Sequence, residues 1–366
     1  MPGWYFLLFW TGCSDESRQS NSTPGADLEA QGVPSLPLHR DAVFSLEGTD
    51  EGAETIENPA GVALSESGRL FIADRGWGQQ TVHIFDPDGS HLGVLGREEL
   101  DPTSWIRHIQ VVGDQLYLYD NERLELMVYS VDTFEKTGSV QPDIHYREPN
   151  NRAVNRRPAR LIARSDGRFL ATYEEPLRVR DPNQQLQFRN PYRSLFYLMH
   201  ADGTLDDSSE PLLQIRGERM TAFDVHFGTF GIERPTTAIP YLALATGDRM
   251  VLADPGSREV QIFTPEGEAE LAFKWPEGYE EAAGLLTDDE GKIWMGMRVG
   301  EGRTDWIRFS EKGEALAVAT MEHSKWQGGG LATRGLLAIF GGAFYIYEEE
   351  RPGRGAVVRY LFGKPS

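Results

Sequence analysis

Residues 59–95 read PAGVALSESGRLFIADRGWGQQTVHIFDPDGSHLGVL. Four short runs lie inside this stretch: Pro59–Leu64, Leu70–Asp74, Val82–Phe85 and His91–Leu95. Each is rich in β-branched, aromatic or aliphatic residues and is bounded by Gly, Ser, Asp or Pro, the pattern of a short strand between turns. The Asp-Pro-Asp-Gly at 86–89 supplies a glycine for the positive φ of a tight hairpin. The stretch therefore describes four antiparallel strands joined as a meander.

The same phrase recurs along the chain. Second-strand copies begin at Gly68, Gly113, Gly167, Gly247, Gly291 and Gly342, at intervals of 45, 54, 80, 44 and 51 residues. A third strand follows each, as in Leu126–Tyr129, Leu195–Leu198, Val260–Phe263, Trp306–Phe309 and Ala356–Tyr360. About six units of four strands, with periods near 45–55 residues, predict an all-β six-bladed propeller with four-stranded antiparallel blades. The 80-residue interval is assigned to long loops at 174–193 and 217–237, and leaves a seventh blade open. The chain ends soon after Tyr360, so the last unit lacks its outer strand. Ala42–Leu46 has the missing strand's pattern and is expected to pair beside residues 356–362, closing the ring with the N-terminus.

Composition excludes several classes. The 366 residues carry 36 Lys and Arg against 56 Asp and Glu, a net charge of −20. That balance argues against a general nucleic-acid binder, which needs a basic footprint. The single cysteine, Cys13, excludes an intrachain disulfide framework and any CxxC site. No apolar run reaches the ~18 residues of a spanning helix.

Residues 1–13, MPGWYFLLFWTGC, form a short apolar run ending in Thr-Gly-Cys. This resembles a bacterial lipoprotein signal segment with its lipobox, which implies lipidation at Cys13 and membrane attachment through lipid alone. Trp10 stands where an aliphatic residue is usual, and no Lys or Arg precedes the run. Residues 14–40 are expected to be a flexible polar tether, and 41–366 the propeller.

Pro59–Asp74 followed by Val82–Gly89 resembles an NHL repeat, and Gly247–Gly267 is a second good copy. With the lipobox, the chain resembles six-bladed β-propeller lipoproteins of bacterial envelopes. The resemblance implies an extracytoplasmic protein, on the periplasmic face or at the outer membrane. Within the motif Asp74, Asp120 and Asp254 end second strands, where a carboxylate bonds backbone amides of the next loop.

Function is sought on the rim that carries the long loops. Residues 147–160, REPNNRAVNRRPAR, hold five Arg and one Glu, and Arg178, Arg180, Arg189 and Arg193 follow on an adjacent loop. Guanidinium groups fork onto carboxylate, phosphate or sulfate. Arg107, Arg156, Arg157, Arg160, Arg178 and Arg334, with Trp77 as a stacking aromatic, are the candidate anion mouth; the alternative is a solvated loop paired with acidic surface. His108, His145, His226 and His323 fall on the same rim, but no HxH or HExxH spacing joins them. The reading is a monomeric binding module without a cofactor, for a protein, peptide or anionic glycan. The alternative is a metal-dependent hydrolase or lyase, lactonase-like or amidating-lyase-like, holding Ca or Zn in the central channel.

Overall fold

A computed structural model describes residues 28–46, 56, 59–76, 79–95, 106–143, 145–147, 153–155, 157–176, 189–206, 210–220, 241–254, 257–279, 282–299, 303–322, 335–351 and 354–363. The first strand, β1 (Leu38–Phe44), is followed by blade 1: β2 (Pro59–Leu64), β3 (Leu70–Gly76), β4 (Gln79–Phe85) and β5 (His91–Leu95). Blade 2 is β6 (Ile106–Val112), β7 (Gln115–Asp120), β8 (Glu125–Ser130) and β9 (Lys136–Val140). A small hairpin, β10 (His145–Arg147) with β11 (Ala153–Asn155), then leads to blade 3: β12 (Arg160–Ala163), β13 (Phe169–Pro176), β14 (Arg189–Met199) and β15 (Leu213–Met220). Blade 4 is β16 (Tyr241–Ala245), β17 (Arg249–Asp254), β18 (Glu259–Phe263) and β19 (Ala269–Lys274). Blade 5 is β20 (Ala282–Thr287), β21 (Ile293–Arg298), β22 (Arg303–Phe309) and β23 (Ala315–Glu322). β24 (Gly335–Phe340), β25 (Ala343–Arg351) and β26 (Arg354–Phe362) complete the chain.

Each blade is a four-stranded antiparallel sheet, and the sixth has the order β1-β26-β25-β24. Six blades, not seven, are present among the described residues. The N-terminal strand closes the ring as expected, with Val43 opposite Val358 and Phe44 opposite Val357. The long interval is partly occupied by tall strands: β14 has 11 residues and β13 and β15 have 8 each.

Second strands read as continuous apolar runs because both faces of each blade are buried. On β3, Leu70 and Ile72 pack toward blade 6, while Phe71 and Ala73 pack toward blade 2. On β25, Tyr345 and Tyr347 face blade 1, while Phe344 and Ile346 face blade 5. The core is therefore divided into six clusters, one at each seam between neighbouring blades. The Trp294, Phe344 and Phe362 rings stack and meet edge-on at seam 5–6, with centroids 4.9–5.3 Å apart.

Part of the expected tether belongs to the folded body. Leu28 is buried in the cluster of seam 4–5. Residues 34–36 run along the outer edge of blade 5, where Leu36 N–H donates to Val318 O (2.7 Å) and Val318 N–H to Pro34 O (3.0 Å). Leu36 and Leu38 pack at seam 5–6, and Phe44, Leu46 and Ile56 at seam 6–1. One N-terminal segment thus contributes to three consecutive seams. Apolar Leu28, Val33, Leu36 and Leu38 are the reason: they have blade surface to cover. Residues 14–27, the signal segment and Cys13 lie outside the described residues.

Arginines stitch the seams. Arg69 Nη1 donates to Val131 O (3.2 Å), joining blades 1 and 2, and Arg359 Nη1 to Pro87 O (2.9 Å), joining blades 6 and 1. Arg164, only 3% exposed, donates to Pro265 O (2.9 Å) across seam 3–4 and lies 3.2 Å from Asp166.

Candidate functional site

The innermost strands are β2, β6, β12, β16, β20 and β24, each the inner edge of its sheet. Packing of β24 on β2, β2 on β6 and β6 on β12, and of β16 on β20 and β20 on β24, sets them around the central channel. Connections after second and fourth strands emerge at one end, the long-loop rim. The tight turns, such as Asp86–Gly89, lie at the other. Much of the candidate mouth falls outside the described residues: Arg156, Arg178, Arg334, Trp77, His226 and His323. Arg107 lies at a bulge on β6, where pairing passes from Ile106–Asp120 to His108–Tyr119. His145 lies on β10 opposite Asn155.

The described part of the candidate mouth is at seam 2–3. Arg157 is half exposed; its Nη1 donates to Asn121 O (3.1 Å) and Glu122 O (3.4 Å) and pairs with Glu122 Oε2 (3.4 Å). It thereby ties the lead-in of blade 3 to the 121–124 turn of blade 2. Tyr119 reinforces that tie by donating its hydroxyl to Pro158 O (2.9 Å), and Tyr173 donates to Asp143 O (2.8 Å). Arg160, the first residue of β12, is exposed, and among the described residues it has no ion-pair or hydrogen-bond partner.

Gln110 joins the inner strands of blades 2 and 3. Its Oε1 accepts from Ala163 N–H (2.9 Å) and its Nε2 donates to Ala163 O (2.8 Å), so a side-chain amide replaces a strand ladder there. His108, two residues earlier on the same face of β6, has Nε2 3.4 Å from Gln110 Oε1. Burial pushes the His108 imidazole down to about 4; the Arg160 charge adds to that, and the Gln110 bond opposes it. The ring is neutral at pH 7. Sequence reading named His108 as a weak metal candidate and passed over Gln110. The available signal was a His and a Gln at i and i+2, on one face of the inner strand Ile106–Val112.

A buried carboxylate elsewhere is fully used in holding the fold. Asp305, 0% exposed, receives Tyr279 Oη (2.9 Å), Thr320 Oγ1 (2.8 Å) and Arg303 Nε (3.0 Å). It fixes the 275–279 connection against blade 5. Asp120 bonds the amides of Glu122 (2.9 Å) and Arg123 (3.1 Å), the loop-capping role expected for it. Asp288 likewise organises its turn, accepting from Lys292 N–H (2.8 Å) and Trp294 Nε1 (2.9 Å). His83 is a buried face residue of β4, 3.0 Å from Thr81 Oγ1. Among the described residues no group of three or more His, Cys, Asp or Glu side chains could hold a metal ion. Among them, too, no helix is long and apolar enough to cross a membrane.

No protein-family model matches the chain, and no curated protein matches its sequence. Solved structures do resemble it. A member of the DUF4221 family from Bacteroides vulgatus superposes with TM-score 0.56 at 10% identity, covering 91% of this chain and 99% of that one. A putative exported protein from Bacteroides fragilis superposes with TM-score 0.53 at 8% identity, covering 94% and 98%. A streptogramin B lyase gives TM-score 0.46 at 10% identity, covering 89% and 98%. At these identities the likeness to the two Bacteroides structures is one of fold alone.

Proposed function

We propose that this chain is an extracytoplasmic binding module, anchored by lipid at Cys13, that takes an anionic ligand on its long-loop rim at seam 2–3. The ligand is a protein, peptide or glycan bearing carboxylate, sulfate or phosphate groups. The observation that carries this reading is a concentration of arginine positions around one seam. Arg147 ends β10, Arg157 and Arg160 lead into β12, and Arg189 and Arg193 lie on tall β14. Arg193 is in register with Arg216 of β15. The likeness to an exported Bacteroides protein fits an extracytoplasmic setting.

Charge reversal of Arg156 and Arg157 to Glu tests the mouth, with binding of a sulfated oligosaccharide measured by calorimetry. At least a tenfold loss is expected; unchanged binding overturns the reading. Stoichiometric metal in protein purified without chelator would replace it with the metal-dependent alternative. Labelled palmitate incorporation, lost in Cys13→Ser, tests the anchor.

A further inference from the structure

We propose that the docked N-terminal segment sets how the ring stands on its membrane. The tight-turn side of blades 4 and 5 faces the bilayer, and the long-loop rim is turned away from it. This rests on the reading of lipid attachment at Cys13 and adds to it an orientation. With the orientation comes the side from which a ligand arrives: the aqueous side, not the headgroups of the anchoring membrane.

Leu28, 3% exposed, opens a tight turn in which Gln31 N–H (3.1 Å) and Val33 N–H (3.0 Å) both donate to its carbonyl. Gly32 closes the turn with a φ of 83°, a left-handed conformation that suits glycine. These bonds keep Leu28 beside Val33, and both side chains pack into seam 4–5. Pro34 O and Leu36 N–H then bond Val318 of β23, the outer edge of blade 5. Ser35 pairs with Val318 in the parallel sense. As a fourth strand, β23 runs from its tight turn at 310–313 to the long-loop rim, so residues 34–36 run the same way. The chain therefore reaches blade 5 from the tight-turn side. An apolar anchor and two backbone bonds pin its point of entry.

Fourteen residues, 14–27, separate Cys13 from that point. A polar linker of this length averages about 20 Å between its ends. That is less than the length of β23 itself, eight residues or about 26 Å. A body held so closely by one point on its edge keeps that point toward the anchor, because the reverse orientation would stretch the linker around the body. The long-loop rim, at the other end of β23, is then the part held outward.

The single cysteine makes the orientation measurable in the full chain. Unlipidated protein is coupled through Cys13 to a maleimide lipid in phosphatidylcholine vesicles. A dye is carried by p-azidophenylalanine in place of Glu266, exposed in the tight turn of blade 4, or of Arg123, exposed in the 121–124 turn on the long-loop rim. Energy transfer to a lipid-borne acceptor should be about twofold or more greater from position 266 than from position 123. Inserting about thirty Gly and Ser residues between Gly25 and Ala26 leaves the docked residues in place and should erase the difference. Equal transfer at native length, or stronger transfer from position 123, would overturn the orientation. A difference that survives the insertion would overturn the linker as its cause. Failed palmitate incorporation at Cys13 would overturn the anchor reading, which chemical coupling keeps separate from the orientation measurement.

Discussion

The hydroxyl of Tyr347 donates to the carbonyl of Ile56 (3.1 Å), a residue 291 positions earlier in the chain. The same carbonyl receives Gly355 N–H (3.0 Å), so the last blade grips the lead-in to the first through two donors. Tyr347→Phe leaves one of them and should cost about 1 kcal/mol in urea unfolding. Gly355→Ala is expected to cost more. A Cβ there meets Tyr347 Cε2 at 2.3 Å, and neither the strand nor the buried ring can yield easily.

Truncation separates the parts of the N-terminal segment. Removing residues up to 37 strips Leu28 and the edge bonds to Val318 but leaves β1. A folded ring with a lowered Tm is expected. Extending the deletion through Phe44, which is 0% exposed, removes the outer strand of blade 6 and a core side chain. The ring should then fail to give a cooperative melt. An unchanged melt for the longer deletion would refute closure by β1.

The Trp306 indole lies across two glycines. A Cβ on Gly296 would meet Trp306 Cζ2 at 2.8 Å, and one on Gly284 would meet Cη2 at 3.0 Å. Gly296→Ala should destabilise by about 1–3 kcal/mol. Adding Trp306→Leu should recover part of that loss, a non-additivity readable in a double-mutant cycle.

Acid sensitivity follows from His108. The unfolded chain takes up this proton near pH 6.5, whereas the folded ring resists until about pH 4. Stability therefore falls as pH drops from about 6.5 to about 4 and this contribution levels off below. His108→Gln should flatten that part of the profile, checked by comparing urea midpoints of both proteins at pH 7 and pH 4.5.

At seam 3–4, Arg164→Met should cost about 2–3 kcal/mol, because Pro265 O loses its buried donor while Asp248 keeps Ser165. Differential scanning calorimetry would show the loss as a lowered Tm.

Most of the architecture was legible because propeller strands are local. Gly, a polar residue and an apolar run, ended by Asp-Gly or Glu-Gly, specify a strand and its turn without distant information. Closure was legible too, since an incomplete last unit and a spare strand pattern at 42–46 point to one another. The expected tether illustrates the limit. Residues 28–40 look polar, but Leu28, Leu36 and Leu38 are apolar at spacings that no single element explains, and their burial depends on seams formed by residues hundreds of positions away. The β10–β11 hairpin was hidden for another reason: its strands are only three residues each. At the mouth, composition pointed to arginine without distinguishing jobs. Arg157 holds a turn, Arg164 is buried in a seam, and Arg160 is exposed, and only packing separates them.

The N-terminal segment makes the two halves of the ring mechanically unequal. Seams 4–5, 5–6 and 6–1 hold Leu28, then Leu36 and Leu38, then Phe44, Leu46 and Ile56 of that segment, so opening any of them must also withdraw those side chains. Among the described residues, the clusters of seams 1–2, 2–3 and 3–4 contain none of its side chains. Seam 2–3, which Arg157 and Gln110 bridge, is the middle one of these three and lies directly across the ring from seam 5–6. Opening of the ring at seam 2–3 has to break the two inner bonds between Gln110 and Ala163. Native-state hydrogen exchange should find the Ala163 amide opening before that of Val318, although both lie in strands of the same ring.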